Sequence, residues 1–232
     1  MPEVIVHEYH CPGGGPLTYE YPIGTPVPAK HMDCLSPLVR DAASQSADLT
    51  RDHLASIWDE IHPAIKPVSD LLLAMEIQSV ALTESSGDPS QSWIVFRDSN
   101  CRRCLLGAPA PLAKEIINAA WLKDVPGLLP LQTYFGNLQY GLIPPCSGFG
   151  FGHRLIQESD DQLCWGPTGN WENALPIFGD GCGNTVCVST KGEIGIWSPH
   201  QFQAVAASLA EFVKMFVERQ RLGQSPKTEW WW

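Results

Sequence analysis

The strongest constraint on the fold is a β-hairpin signal followed directly by a helical stripe in the last third of the chain. Residues 185–189 and 193–197 alternate apolar and polar side chains around Lys191-Gly192, a pattern typical of two antiparallel strands. Over 203–220 the apolar residues recur with the helical period, at Val205, Leu209, Phe212, Val213 and Phe216. Because these patterns require a helix packed on strands, the sequence predicts an α+β fold with a mostly antiparallel sheet and a long C-terminal helix.

Earlier segments carry further helix and strand signals. Thr50 can cap a helix whose apolar stripe consists of Leu54, Ile57, Trp58 and Ile61. Two more helices are predicted over 67–75 and 111–122, and strands over 77–83, 92–96, 104–106 and 154–157. The segment 124–152 is rich in proline and glycine, which predicts a loop.

These signals divide the chain into three regions. Residues 1–49 are rich in turn formers and are predicted to be an irregular N-terminal extension with one hairpin. Residues 50–222 are predicted to form the α+β domain, and 223–232 a tryptophan-rich tail that ends in Trp230-Trp231-Trp232. Exposed tryptophans favour aggregation, so we expect the tail to dock on the domain or on a partner, with a disordered end as the alternative.

The charge balance limits the classes of partner. Fifteen Lys and Arg against 25 Asp and Glu give a formal charge of -10, which repels phosphate backbones and accommodates a basic protein. No run approaches the roughly 20 apolar residues of a membrane span, and the first residues do not resemble a signal peptide. We therefore expect no nucleic-acid or membrane partner, and mostly reduced cysteines in the cytoplasm. A trimmed secretory signal is the alternative that the even number of cysteines leaves open.

Two short-spaced pairs of candidate metal ligands lie near the start of the chain. They could close a tetrahedral zinc site and hold a proline-rich extension in shape, and the residues are His7, His10, Cys11, His31 and Cys34. The alternative is that these side chains are scattered in a surface loop. A zinc-binding module or metalloenzyme is therefore one hypothesis, and a chain without a cofactor is the other.

Other motifs give weaker indications of catalysis. The Cys101-x-x-Cys104 pair joins strand-like segments, whereas a redox pair is expected to open a helix. The glycine-rich turn over 179–183 runs into a strand, whereas a phosphate loop runs into a helix. Cys146 and Cys182 could be nucleophiles only if the fold brought a histidine to them. The sequence thus predicts that the protein is not an enzyme.

The range from Leu155 to Phe212 carries seven acidic residues and one basic residue, Lys191. Its acids and neighbouring tryptophans predict a surface that binds a cationic protein partner, formed by Glu158, Asp160, Asp161, Trp165, Trp171, Glu172 and Asp180. The alternatives are that the acids only keep the chain soluble and that the tryptophans lie in the core.

The segment over 175–217 resembles the SUKH superfamily, which includes fungal cell-wall-synthesis regulators and many bacterial immunity proteins. The likeness is carried by the apolar phrase 175–178, the glycine- and aspartate-rich turn that follows it, the hairpin over 185–197 and the Ser208-x-x-Glu211-Phe212 phrase. The segment 134–138 matches a glycine-bearing segment of that family more loosely. Asn184 stands where the family often has aspartate.

This resemblance implies a non-enzymatic α+β domain that binds another protein. In polymorphic toxin systems such members neutralise a cognate toxin by masking it, so we expect a cytoplasmic immunity protein with a basic toxin as its partner. A regulatory scaffold of the same fold with a host partner is the alternative. The identity of the partner and the face that binds it are not specified by these motifs.

Overall fold

The computed structural model describes residues 5–8, 17–85, 88–100, 102–109, 111–140, 147–150, 155, 171–179, 184–198 and 201–221. The chain divides into two compact units, the first comprising Met1–Asp59 with Leu72–Ala108 and the second Glu60–Leu71 with Pro109–Trp232. Helices and antiparallel strands occur in both, and a helix over Leu209–Arg221 ends the described chain. The predicted α+β class is therefore confirmed. Within the described ranges, no helix has the combined length and apolar content needed to cross a bilayer.

The first unit is an antiparallel array of strands with short helices between its second and third strands. Its elements are β1 (Ile5–Glu8), β2 (Leu17–Pro22), α1 (Ala29–Met32), α2 (Pro37–Ala43), α3 (Ala47–Ile57), β3 (Glu76–Ser85), β4 (Asp88–Arg97) and β5 (Arg103–Gly107). The five strands pair in chain order. Residues 92–96 of β4 are all buried, which explains why this strand reads as a continuous apolar run.

The structure differs from the irregular extension predicted for residues 1–49. The described part of that range contains β1, β2, α1, α2 and the start of α3, and it contributes Tyr21, Leu35 and Val39 to the core. The third helix also begins earlier than predicted. Its cap is Ser46, whose side chain accepts the backbone N–H of Leu49 at 3.3 Å, whereas Thr50 is buried inside the helix.

A buried ion pair lies on one face of the first unit's strands. Arg103 Nη2 donates to Glu20 Oε2 at 2.6 Å, and the two side chains are each 8% exposed. Ser79 Oγ donates to the other carboxylate oxygen of Glu20. Since a buried charge is tolerated only with hydrogen-bonded partners, these groups couple β2, β3 and β5 through their side chains.

The second unit consists of helices followed by a second run of antiparallel strands. Its elements are most of α4 (Lys66–Leu73), α5 (Lys114–Ile117), a 3-10 helix (Ala120–Asp124), α6 (Leu128–Phe135), β6 (Asn137–Tyr140), β7 (Ser147–Gly150), β8 (Leu175–Gly179), β9 (Thr185–Val188), β10 (Ile194–Ser198), β11 (Gln201–Ala206) and α7 (Leu209–Arg221). The strands β6 to β11 pair in chain order. The predicted hairpin is confirmed as β9 and β10.

The long C-terminal helix is shorter than predicted, because residues 201–206 form β11. This strand pairs with β10 in a register that sets Phe202 opposite Trp197. The helix begins after it with a reciprocal cap: Ser208 Oγ accepts the N–H of Glu211 at 3.2 Å, and Glu211 Oε2 accepts the N–H of Ala207 at 2.8 Å. These bonds fix the point where strand gives way to helix.

Two further predictions are corrected in this unit. The helix predicted over 111–122 is divided between α5 and the 3-10 helix. The loop predicted over 124–152 contains α6, β6 and β7 among its described residues. Glycine marks the start of α6: Gly127 has φ 82°, and a Cβ there would lie 2.9 Å from the side chain of Ala64. Gly127 therefore marks the start of a helix, whereas the frequency of glycine in this segment suggested a loop.

The core of the second unit is centred on four phenylalanines. Phe149 of β7 contacts Phe216 of α7 with ring centroids 5.0 Å apart, and Phe178 of β8 lies 5.8 Å from the same ring. Phe212 contacts both strand residues from the preceding turn of the helix. All four rings are buried, so α7 is held on β7 and β8 by edge-to-face aromatic packing.

Candidate protein-binding surface

The acidic surface predicted from the sequence lies mostly outside the described residues. That is the case for Glu158, Asp160, Asp161, Trp165 and Asp180. Glu172 is described and is exposed, as a surface residue must be. A role for these residues in binding a partner stays a prediction.

The structure corrects the prediction for Trp171, which was expected to be a surface anchor. Its side chain is 6% exposed, and its ring packs against Trp197 and Phe202 with centroids 5.4 and 4.7 Å away. Gly195 makes this packing possible, because a Cβ there would overlap the rings of Phe202 and Trp171. A tryptophan enclosed in this way stabilises the second unit and cannot anchor a partner on the surface.

The candidate zinc ligands His31 and Cys34 have separate surroundings. His31 is 3% exposed; its Nδ1 shares a hydrogen bond with the Tyr21 hydroxyl, and its Nε2 lies 3.7 Å from Glu84 Oε1. Cys34 is exposed, and its thiol donates to the Lys30 carbonyl at 3.3 Å. His10, Cys11 and the side chain of His7 lie outside the described residues.

No group of three or more potential metal ligands is found in the part of the chain that the structure describes. Zinc therefore stays a prediction that rests on the sequence spacing.

The cluster around His31 holds α1 against β2. Burial lowers the pKa of His31, Lys30 lowers it further, and Glu84 acts in the opposite direction. Burial likewise raises the pKa of Tyr21, with smaller contributions from Tyr19 and Glu84. A neutral imidazole and a neutral phenol can share one hydrogen bond without a buried charge, so the cluster serves to pack the helix on the strand.

The outer face of α3 has the anatomy of a protein-binding surface. The helix packs against β3, with Thr50 and Leu54 buried. At about 100° per residue, the exposed side chains fall in one arc of about 140° on the opposite side of the helix. We call this arc the α3 face, and its residues are Asp48, Leu49, Asp52, His53 and Ser56.

Leu49 lies within this arc and is 59% exposed. Asp48 and Asp52 lie one helical turn apart in the same arc and add two carboxylates beside Leu49. Asp48 Oδ1 is 3.5 Å from Arg51 Nη1. A protein-binding patch needs apolar area to bury and a polar rim that selects the partner by charge. The α3 face supplies both, with carboxylates that favour a cationic partner.

Sequence reasoning missed this surface although the signal was present. Asp48 and Asp52 are spaced i, i+4, and Leu49 lies one position beyond the first of them. The buried stripe at Leu54 and Trp58 gives the stronger signal in this helix, and the exposed arc is the opposite side of the same pattern. The helical period brings Asp48 and Asp52, four positions apart in the sequence, to the same side of the helix.

The three cysteines that the structure describes are expected to differ sharply in reactivity. Cys34 is exposed, whereas Cys104 and Cys187 are buried, and burial raises the pKa of Cys187 well above its ordinary value. Brief treatment of the folded protein with iodoacetamide, followed by peptide mass spectrometry, should label Cys34 and leave the other two unmodified. Protection of Cys34 that a chelator removes would instead support the zinc hypothesis, and labelling of Cys187 would contradict its burial.

In comparisons with known proteins, no family model, no curated protein and no solved structure matches this chain.

Proposed function

We propose that this chain is an immunity protein, a non-enzymatic protein that neutralises a basic bacterial toxin by binding it and masking its active surface. The α3 face is the observation that carries the proposal. It combines an exposed leucine with the carboxylates of Asp48 and Asp52 on a chain with a formal charge of -10. Such a surface attracts a cationic protein and buries apolar area once the two are in contact.

The order of elements in the second unit supports the proposal. The apolar phrase of the SUKH resemblance forms β8, the hairpin forms β9 and β10, and the Ser208-x-x-Glu211 phrase caps α7. The resemblance implies these elements in this order, and the chain adds strand β11 between the hairpin and the helix. The thiols of Cys34 and Cys187 form no disulfide among the described residues, which supports a cytoplasmic location, since reduced cysteines are typical of that compartment.

Reversing the charge of the α3 face is expected to slow association with the toxin by about tenfold or more at low salt. The variant is Asp48→Lys with Asp52→Lys, and stopped-flow mixing measures the rate. The matched control is Asp124→Lys with Glu218→Lys, two exposed acids of the second unit that change the net charge equally. Equal slowing in both variants would show that net charge alone acts, and would contradict a role for the α3 face.

The proposal is tested by expressing the polypeptide encoded beside this chain's gene, with and without the chain. We expect that polypeptide to arrest growth when expressed alone, and co-expression of the chain to restore growth through a complex that can be purified. A neighbouring polypeptide that neither harms the cell nor binds the chain would contradict the proposal. Stable binding to a harmless host protein would favour the regulatory scaffold instead.

A further inference from the structure

Strand β1 stands at the end of the strand order of the first unit and pairs with β2 alone among the strands that the structure describes. Its residues Ile5 and Val6 are 45% and 50% exposed. Successive residues of a strand point to opposite faces, so an apolar side chain is left open on each face of β1.

An edge strand presents backbone N–H and C=O groups along its outer side, and these groups can pair with a strand from another molecule. Natural proteins protect such edges with lysine, proline or a bulge. The described part of β1 has the sequence Ile-Val-His-Glu and pairs with β2 without a register shift. Among the described residues no strand pairs with its outer side, which is the side that strand addition requires.

We infer that β1 receives an extended, basic segment of the partner as an added strand; this inference rests on the proposed function and adds a second point of contact. Charge selects the occupant. The chain carries a formal charge of -10, which attracts a basic segment and repels an acidic one. A segment that alternates basic and apolar residues is attracted by this charge and also covers an exposed apolar residue of β1.

A second copy of the chain fits this edge poorly. Each copy carries a formal charge of -10, so two copies repel each other. The strand has four residues, and pairing two such strands buries far less than the roughly 1,200 Å² of a stable specific interface. A basic partner is attracted by the charge of the chain, and its contact with the α3 face adds buried area to that of the added strand.

The test uses the full chain and two synthetic probes. The first is an octapeptide of alternating valine and lysine, and the second is the same peptide with alternate backbone nitrogens methylated, which removes donors and keeps the charge. Fluorescence anisotropy of the labelled peptides measures affinity. The inference predicts that methylation weakens binding by about tenfold or more, because backbone hydrogen bonds carry much of the affinity of an added strand.

Two variants locate the binding. Val6→Lys places a repelling charge on β1 and is expected to weaken binding of the unmethylated peptide by about tenfold. The matched control is Ile117→Lys, which changes an apolar residue of α5 that is also exposed and should bind as the unmodified chain does. Thermal unfolding of both variants within a few degrees of the unmodified chain shows that the fold is kept.

Equal affinity for the two peptides, equal effects of the two variants, or no binding of either peptide would overturn the inference. Binding of the toxin by the Val6→Lys variant separates failure of the strand-addition inference from failure of the proposed function. If Val6→Lys binds the toxin as tightly as the unmodified chain, strand addition is wrong and the immunity function stands. If the β1-dependent peptide binding is found but the neighbouring polypeptide is not a toxin and does not bind, the edge site stands and the proposed function fails.

Discussion

Replacing Arg103 with methionine is expected to lower the free energy of unfolding of the first unit by about 3–5 kcal/mol. The substitution keeps the hydrogen bond from Ser79 to the buried Glu20 carboxylate but removes the guanidinium that neutralises its charge. A carboxylate that has lost its cation must be hydrated, protonated or exposed, and each of these outcomes disrupts the packing of β2 on β3. Native-state hydrogen exchange of peptides from β3 and β4 measures the loss in this unit directly.

Two variants serve as controls for this prediction. Asp48→Asn breaks an exposed ion pair with Arg51 in the same unit and should cost less than about 1 kcal/mol. The double variant Glu20→Gln with Arg103→Met removes both charges. Its loss of stability should therefore be smaller than the sum of the losses measured for the two single variants. A cost below about 1 kcal/mol for Arg103→Met would show that the pair is hydrated, and would contradict its burial.

Replacing Phe216 with alanine is expected to destabilise the second unit by about 3–5 kcal/mol. The ring is fully enclosed and contacts Phe149 and Phe178, so its removal loses apolar burial and leaves a cavity between α7 and the strands. Protection of α7 and β8 against hydrogen exchange should fall accordingly.

Lys214→Ala is the matched control, because Lys214 lies on the exposed side of the same helix. It should change stability by less than about 0.5 kcal/mol. A similarly small effect of Phe216→Ala would mean that α7 is not held by the aromatic cluster, and the account of the second unit would have to be revised.

The elements that were predictable from the sequence are those whose signals are local. The hairpin of β9 and β10 follows from alternation around Lys191-Gly192, since the period of two is set by the strand itself. The start of α7 was predictable in principle from Ser208-x-x-Glu211, but Val205 continued the helical stripe by coincidence. The pairing of Ala204 and Ala206 with β10 places Val205, which lies between them at a shift in register, in a strand, and that contact is not local.

Long-range contacts explain what sequence reasoning missed. Glu20 and Arg103 are separated by 83 positions, and only the chain order of β2 to β5 brings them together. The same limit affected Trp171: its acidic neighbours suggested a surface, whereas Gly195 and Phe202, which enclose it, lie more than twenty positions away. The α3 face was accessible to local reasoning, because helical spacing alone groups Asp48, Leu49 and Asp52 on one side.

The stoichiometry of neutralisation distinguishes masking of the toxin from its enzymatic inactivation. Increasing amounts of the chain are added to a fixed amount of the toxin encoded beside its gene, and the remaining toxin activity is measured. If the chain acts by masking, activity falls in proportion to the chain added and reaches zero near one equivalent, because each complex occupies one toxin. Complete loss of activity at a small fraction of an equivalent would show that the chain turns over its target, and would contradict a non-enzymatic role.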